Sequence, residues 1–188
     1  MILSDNEIFQ ALQSGTIKII PNVAKHNVRP TGVRVHLGTE LLKPIPGQIV
    51  DITNPVDLKY DKIDLSKEEY ILEPYDFVIG TSFEKFFMPD NIIGHLEGRS
   101  TIARIGMSIH CTSGVIDSMN DDPRSIVLEI FNCGKFNIVL KPKIPVGMLL
   151  FSELSSCVTQ EAQNQYKNQE GVTPPNLKFQ PKGLAGEN

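Results

Sequence analysis

From Ile17 onward the apolar residues fall in short runs separated by proline and glycine: Gly32 to Leu37, Tyr70 to Leu72, Phe77 to Ile79, Ser125 to Phe131, Phe136 to Leu140 and Gly147 to Leu154. Runs of this length predict short strands, and many of them in succession predict an all-β sandwich or barrel. Two stretches break the pattern. Ser4-Asp5-Asn6-Glu7 has the form of a capping box, after which Ile8, Ala11 and Leu12 recur at helical spacing until Gly15, so one short N-terminal helix is predicted. Ser100 to Ile105, preceded by Gly98-Arg99 and closed by Gly106, is compatible with a second short helix inside the β region, with Ser100 as its cap. After about Thr159 the chain turns polar and rich in Gln and Asn, with Pro174-Pro175 and Gly183 following. Little core can be built from such a segment. The chain therefore reads as one domain over residues 1–158 and a tail over 159–188, either disordered or a cover for an active site.

A length of 188 residues suits a single domain, and no internal repeat is visible. The formal net charge of −4 leaves no polybasic footprint, so neither duplex nucleic acid nor an anionic membrane is an expected partner. An anionic ligand would have to be held by local cations. No apolar stretch reaches the length that spans a bilayer, and Met1 to Glu7 has no basic region followed by an apolar run, so the expected location is the cytoplasm. Cys111, Cys133 and Cys157 are odd in number and widely spaced, which predicts reduced thiols acting as small buried hydrophobes rather than a disulfide frame.

Three constellations carry candidate chemistry. In Gly98-Arg99-Ser100-Thr101-Ile102-Ala103-Arg104, a hydroxyl, the free amides of a first helical turn and two guanidinium groups would converge as an anion site requires. The plainer account is a solvated turn with two surface arginines. In Ser125 to Asn132, period-two alternation puts Ile126, Leu128 and Ile130 on one face and Val127, Glu129 and Phe131 on the other. Glu129 thus shares a face with apolar neighbours, a setting that raises a carboxyl pKa and suits a group taking and returning a proton near neutrality. The alternative is a half-exposed strand glutamate at a subunit contact. The third is His110-Cys111-Thr112-Ser113-Gly114-Val115-Ile116-Asp117, where small residues allow close backbone approach and Asp117 could accept from a sugar hydroxyl, or simply form a turn.

His95-Leu96-Glu97 matches one half of the zinc deaminase signature, but the paired P-C-x-x-C half is missing and the cysteines are isolated, so His95 and Glu97 read as strand residues. No cysteine has an evident histidine partner to activate it, since His110 beside Cys111 would point to the opposite face of a strand.

Taken together, these segments resemble the dCTP deaminase family, which shares its fold and trimeric assembly with dUTPases. The resemblance runs through Met1-Ile2-Leu3-Ser4-Asp5, Gly32 to Gly38, Gly98 to Gly106, Leu128-Glu129-Ile130-Phe131-Asn132 and Tyr166-Lys167-Asn168-Gln169-Glu170-Gly171. It implies a mainly β, distorted jelly-roll-like barrel of the dUTPase type, forming homotrimers with sites at subunit interfaces. It implies deamination of dCTP to dUTP and ammonia without zinc, with Glu129 as the base that activates water. By the same resemblance Arg104 and Ser100 sit beside water and base, and Arg99, Ser100 and the amides around Thr101, Ile102 and Ala103 hold phosphates. Asp117 meets the deoxyribose, and Thr112, Ser113, Val127 and Leu128 lie against the nucleotide. Gln169 closes over it from the tail, and magnesium rides on the triphosphate with no metal ligand from the protein.

The presence of Glu129 favours deamination over simple dUTP hydrolysis, which needs no base at C4. Yet Ser113-Gly114-Val115-Ile116-Asp117 looks more like the A-G-x-I-D of dUTPases and of bifunctional deaminase/diphosphatases, which makes a bifunctional enzyme yielding dUMP and pyrophosphate the first alternative. A catalytically lapsed nucleotide-binding trimer is the alternative of another class. The sequence departs from the family in a longer, acidic loop, Ser118 to Arg124, and in the tail, where Val158 and Gln165 stand in place of a tyrosine and a lysine that touch the triphosphate, with Lys167 as a possible substitute.

Overall fold

A computed structural model describes residues 1–159 other than 53 and 55, residue 166 and residues 171–178, with the backbone alone at 120 and 121. In chain order the elements are α1 (Asp5–Ser14), β1 (Lys18–Ile20), a 3-10 turn (Lys25–Asn27), β2 (Val28–Arg29), β3 (Gly32–Pro44), β4 (Tyr60–Asp64), β5 (Tyr70–Leu72), β6 (Phe77–Met88), β7 (Ile92–Gly98), α2 (Ser100–Ala103), β8 (Met107–Ser108), β9 (Val115–Ile116), β10 (Met119–Asn132), β11 (Ile138–Leu140) and β12 (Pro145–Glu153). The mainly β architecture with two short helices is the one the hydrophobic pattern predicts.

α1 forms because its ends are satisfied locally. The Ser4 hydroxyl accepts from the Glu7 amide, and the Glu7 carboxylate accepts from the Ser4 amide at 2.7 Å. Gly15, at φ 76°, ends the helix in the left-handed conformation that glycine adopts without a Cβ penalty. Ile8 is the face of the helix that reaches the core. The N-terminal strand segment is stitched to β12 by the Leu3 amide on the Phe151 carbonyl and the Glu153 amide on the Met1 carbonyl, both at 2.9 Å.

One curled antiparallel sheet runs β8-β10-β6-β3-β12-β7-β9, with β1 on β6 and β2 and β4 on β3, while β5 and β11 pair separately. Its concave side buries Val33, Val35, Leu37, Leu41, Phe86, Leu96, Leu128, Ile130, Leu149 and Phe151 in one cluster. Strands that alternate in this way bury one face and leave the other to water or ligand. On β10 the inward residues Ile126, Leu128 and Ile130 are all buried, and Val127, Glu129 and Phe131 on the other face are half-buried, as the alternation predicts.

Three expectations are corrected. The acidic stretch expected as a loop is largely strand, because β10 begins at Met119; its register against β6 jumps between Met119 and Arg124 and again between Ser125 and Val127. Pro123 is tolerated there because a bulge needs no ladder bond from it. Ser100 is the first helical residue of α2 and Arg99 occupies the cap position, with no side-chain capping bond. The three cysteines are free and exposed rather than buried hydrophobes.

Candidate active site

The outer face of β10 forms the floor of a cleft of about 620 Å³. Met119, Arg124, Ser125, Val127 and Glu129 of β10 line it, with Phe77 and Ile79 from β6, Tyr60 from β4, and Ser113, Val115, Ile116 and Asp117 from β9 and its flanks. Tyr166, Thr173 and Pro175, from beyond the barrel, complete the lining. Cross-strand register explains the apolar floor: Glu129 lies directly opposite Ile79, and Phe131 opposite Phe77.

That neighbourhood determines the state of Glu129. Burial pushes its carboxyl above the ordinary glutamate value, and the Cys111 amide, its own amide and the nearby His110 draw it only partly back. Its Oε2 is buried and has no hydrogen-bond partner among the described residues. Among the described residues two other side-chain atoms are in the same condition, Thr173 Oγ1, on a residue that lines the cleft, and His110 Nδ1, on one that does not. Buried polar atoms in folded proteins are nearly always paired, so orphaned ones facing a cleft mark where a ligand or water completes the bonding. Partial burial and the charge of Glu129 push the Cys111 thiol up, away from the thiolate a nucleophile needs.

The cleft gathers Ser113, Asp117, Val127 and Glu129 of the residues singled out in the sequence. Thr112 is exposed and adjacent to this group. The Leu128 side chain points the other way, fully buried in the core. Arg99, Ser100, Thr101, Ile102, Ala103 and Arg104 do not line the cleft of their own chain. Ser100, Thr101, Ala103 and Arg104 are exposed, and Ile102 packs against the core. The Arg99 guanidinium donates to the Pro145 carbonyl at 2.6 Å, tying α2 to the start of β12. Val158 is exposed, its amide bonded to the Asp90 carbonyl, while Gln165, Lys167 and Gln169 lie outside the described residues.

Tyr60, Arg124 and Thr173 belong to the cleft without having been singled out. Arg124 is the one cation among the described lining residues. Its place could have been inferred only from the β10 bulge, and Thr173 sits in a polar segment with no periodicity to mark it. His95 and Glu97 are β7 residues paired with Leu150 and Met148, and no three His, Cys, Asp or Glu side chains among the described residues gather as a metal cage.

The family model described as dCTP deaminase-like matches residues 2–154. The dCTP deaminase of Buchnera aphidicola subsp. Acyrthosiphon pisum is 33% identical over 192 residues, covering 94% of this chain and 98% of its own. That of Haloarcula marismortui is 33% identical over 181 residues, covering 91% of this chain and 92% of its own. Among solved structures, 2'-deoxycytidine 5'-triphosphate deaminase from Agrobacterium tumefaciens superposes with a TM-score of 0.62 at 16% identity, over 80% of this chain and 47% of that one, a likeness of fold. With a family model spanning most of its length and relatives matched almost end to end, this chain belongs to the dCTP deaminase-like family.

Proposed function

We propose that the protein hydrolyses dCTP to dUTP and ammonia, with Glu129 as general base and acid and without zinc. The observation that carries the reading is the buried, unpartnered Oε2 of Glu129 on the floor of a nucleotide-sized cleft, in surroundings that raise its pKa. A carboxylate poised nearer neutrality takes a proton from water as the oxygen attacks C4 of cytosine, then gives it to the departing amine. Water supplies the new carbonyl oxygen, the C4–N bond breaks, and ammonia leaves. In this reading Asp117 accepts from the deoxyribose, the backbone at Thr112 and Ser113 abuts the base, and Gln169 closes the site.

The cations for the triphosphate come from a second copy. Arg99, Ser100 and Arg104 do not line the cleft holding Glu129, so a homotrimer in which α2 of one protomer meets the cleft of its neighbour supplies the guanidinium groups and first-turn amides. Magnesium would arrive with the substrate, on its triphosphate, and would offset part of its charge. The reading places the enzyme in the cytoplasm, feeding dUTP into thymidine nucleotide synthesis.

Product analysis tests it. Purified protein with dCTP and magnesium yields ammonia and dUTP, and lack of turnover on every cytidine nucleotide would overturn the assignment in favour of a binding protein that has lost catalysis. One observation favours a second activity: Asp117 lines the same cleft as Glu129, where it could also orient water toward the α-phosphate. Formation of dUMP and pyrophosphate would establish that bifunctional enzyme; intact accumulation of dUTP removes it.

A further inference from the structure

We infer that Thr173 contacts the nucleoside part of the substrate, and that residues 171–178 form a fixed wall of the pocket on the same chain as Glu129; this rests on the deaminase reading above. Thr173 lines the cleft, and its Oγ1 is buried with no hydrogen-bond partner among the described residues. A hydroxyl sealed from water in this way is costly unless something pairs with it.

The wall is anchored by contacts that do not use that hydroxyl. Val172 is buried with Leu42 and Ile79, and Tyr60, Phe77 and Val127 pack around them. Val127 stands two residues before Glu129 on the same face of β10, roughly 7 Å along the strand. Val172 therefore fixes the backbone next to Thr173 beside the catalytic face. Farther on, the Asn176 amide donates to the Tyr166 hydroxyl at 3.0 Å, and Lys178 pairs with Asp57 at 2.7 Å. Thr173 is thus held from both sides with its own polar atom unspent.

The surroundings select the part of the ligand. Tyr60, Phe77, Ile79, Val127 and Pro175 line the cleft around this wall. Such a surface is a poor host for phosphate charge. It suits the faces of a pyrimidine ring and a deoxyribose, whose polar edges can donate to or accept from a hydroxyl. Thr173 and Glu129, two orphaned groups on one cleft, are then satisfied by one nucleoside.

Thr173→Val keeps the shape and removes the hydroxyl; Thr173→Ser keeps the hydroxyl. Steady-state kinetics with dCTP should show KM raised about tenfold in Thr173→Val, the loss of one hydrogen bond, and within about twofold of wild type in Thr173→Ser. The nucleotide-free Tm of Thr173→Val should equal or exceed that of wild type, because an unpaired buried hydroxyl is gone. Inhibition by inorganic tripolyphosphate should be unchanged. Wild-type KM in Thr173→Val would overturn the contact, as would a KM increase that Thr173→Ser shares. Tripolyphosphate weakened about as much as dCTP would overturn its assignment to the nucleoside. A wild-type protein that neither binds nor deaminates dCTP removes both this inference and the deaminase reading, whereas an active wild type with an equally active Thr173→Val removes only the contact.

Discussion

On the proposed reading, Glu129 puts function and stability in opposition. Its carboxyl titrates above the ordinary value because burial disfavours the charged form. A group whose pKa is higher folded than unfolded contributes stability that is fully present below the unfolded pKa and is lost as pH rises through the folded one. At neutral pH the ionised carboxylate, half-buried and with its Oε2 unpartnered among the described residues, therefore weakens the nucleotide-free fold. Glu129→Gln should raise Tm near pH 7, with the difference shrinking to nothing as pH falls below the glutamate range. The same variant should lose about a thousandfold in kcat, as expected for removal of a general base. The kcat/KM of the wild type should fall at acid pH along a limb set above that of an ordinary glutamate. Thermal scans at several pH values alongside kinetics check all three; equal Tm values for the two proteins across the range would contradict the burial argument. The setting of Glu129 was legible in the sequence because strand alternation assigns its face from neighbours two residues away. The orphaned Thr173 hydroxyl was not, since Thr173 follows Val172, whose packing against β3, β4, β6 and β10 is a long-range contact that no local pattern records.

Elements were legible in proportion to how far their sequence is governed by local rules. The capping box and Gly15 define α1 from within a dozen residues. β10 was legible only in its C-terminal half, because between Met119 and Arg124 five steps along β10 match two along β6, and between Ser125 and Val127 two steps match four. Such bulges interrupt the alternation that reveals a strand, and they re-aim side chains, here bringing Arg124 into the cleft. β4, with Tyr60-Asp61-Lys62-Ile63-Asp64 mostly polar, escapes the same test because it pairs only with β3. The second irregularity is held by Ser82, whose buried hydroxyl accepts from the Ile126 amide at 2.8 Å and donates to the Glu84 carbonyl at 2.6 Å. Ser82→Ala leaves a buried amide without its acceptor, a loss of about 2 kcal/mol. Urea unfolding should show that loss. A kcat decrease should accompany it, because Ile126 sits three residues from the proposed base, Glu129, on the same strand. A variant as stable as wild type would mean that water or backbone takes over the role of the hydroxyl.

At the scale of the whole molecule the gap between sequence and structure is largest. The two constellations that resemble one active site, Arg99 to Arg104 and Glu129, lie on the same chain, yet only the second lines the cleft. Spacing along one chain carries no signal for which surface of one copy meets which surface of another, so the sequence could name both sets without relating them. The proposed trimer makes a prediction that a site built within one chain does not share. Arg104→Ala removes the guanidinium contributed to a neighbour, and Glu129→Gln removes the base from the chain's own cleft; each homotrimer is inactive. When the two variants are mixed and allowed to exchange subunits, an Arg104→Ala protomer beside a Glu129→Gln protomer forms a site with both groups intact. With random exchange in a cyclic trimer, one intact group is needed from each of two adjacent protomers, so about a quarter of the sites should recover. Ammonia release should accordingly climb from near zero to about a quarter of the wild-type rate as exchange proceeds, on the timescale of subunit dissociation. If both groups served one chain, no mixture would regain activity, because every site would carry one of the two lesions.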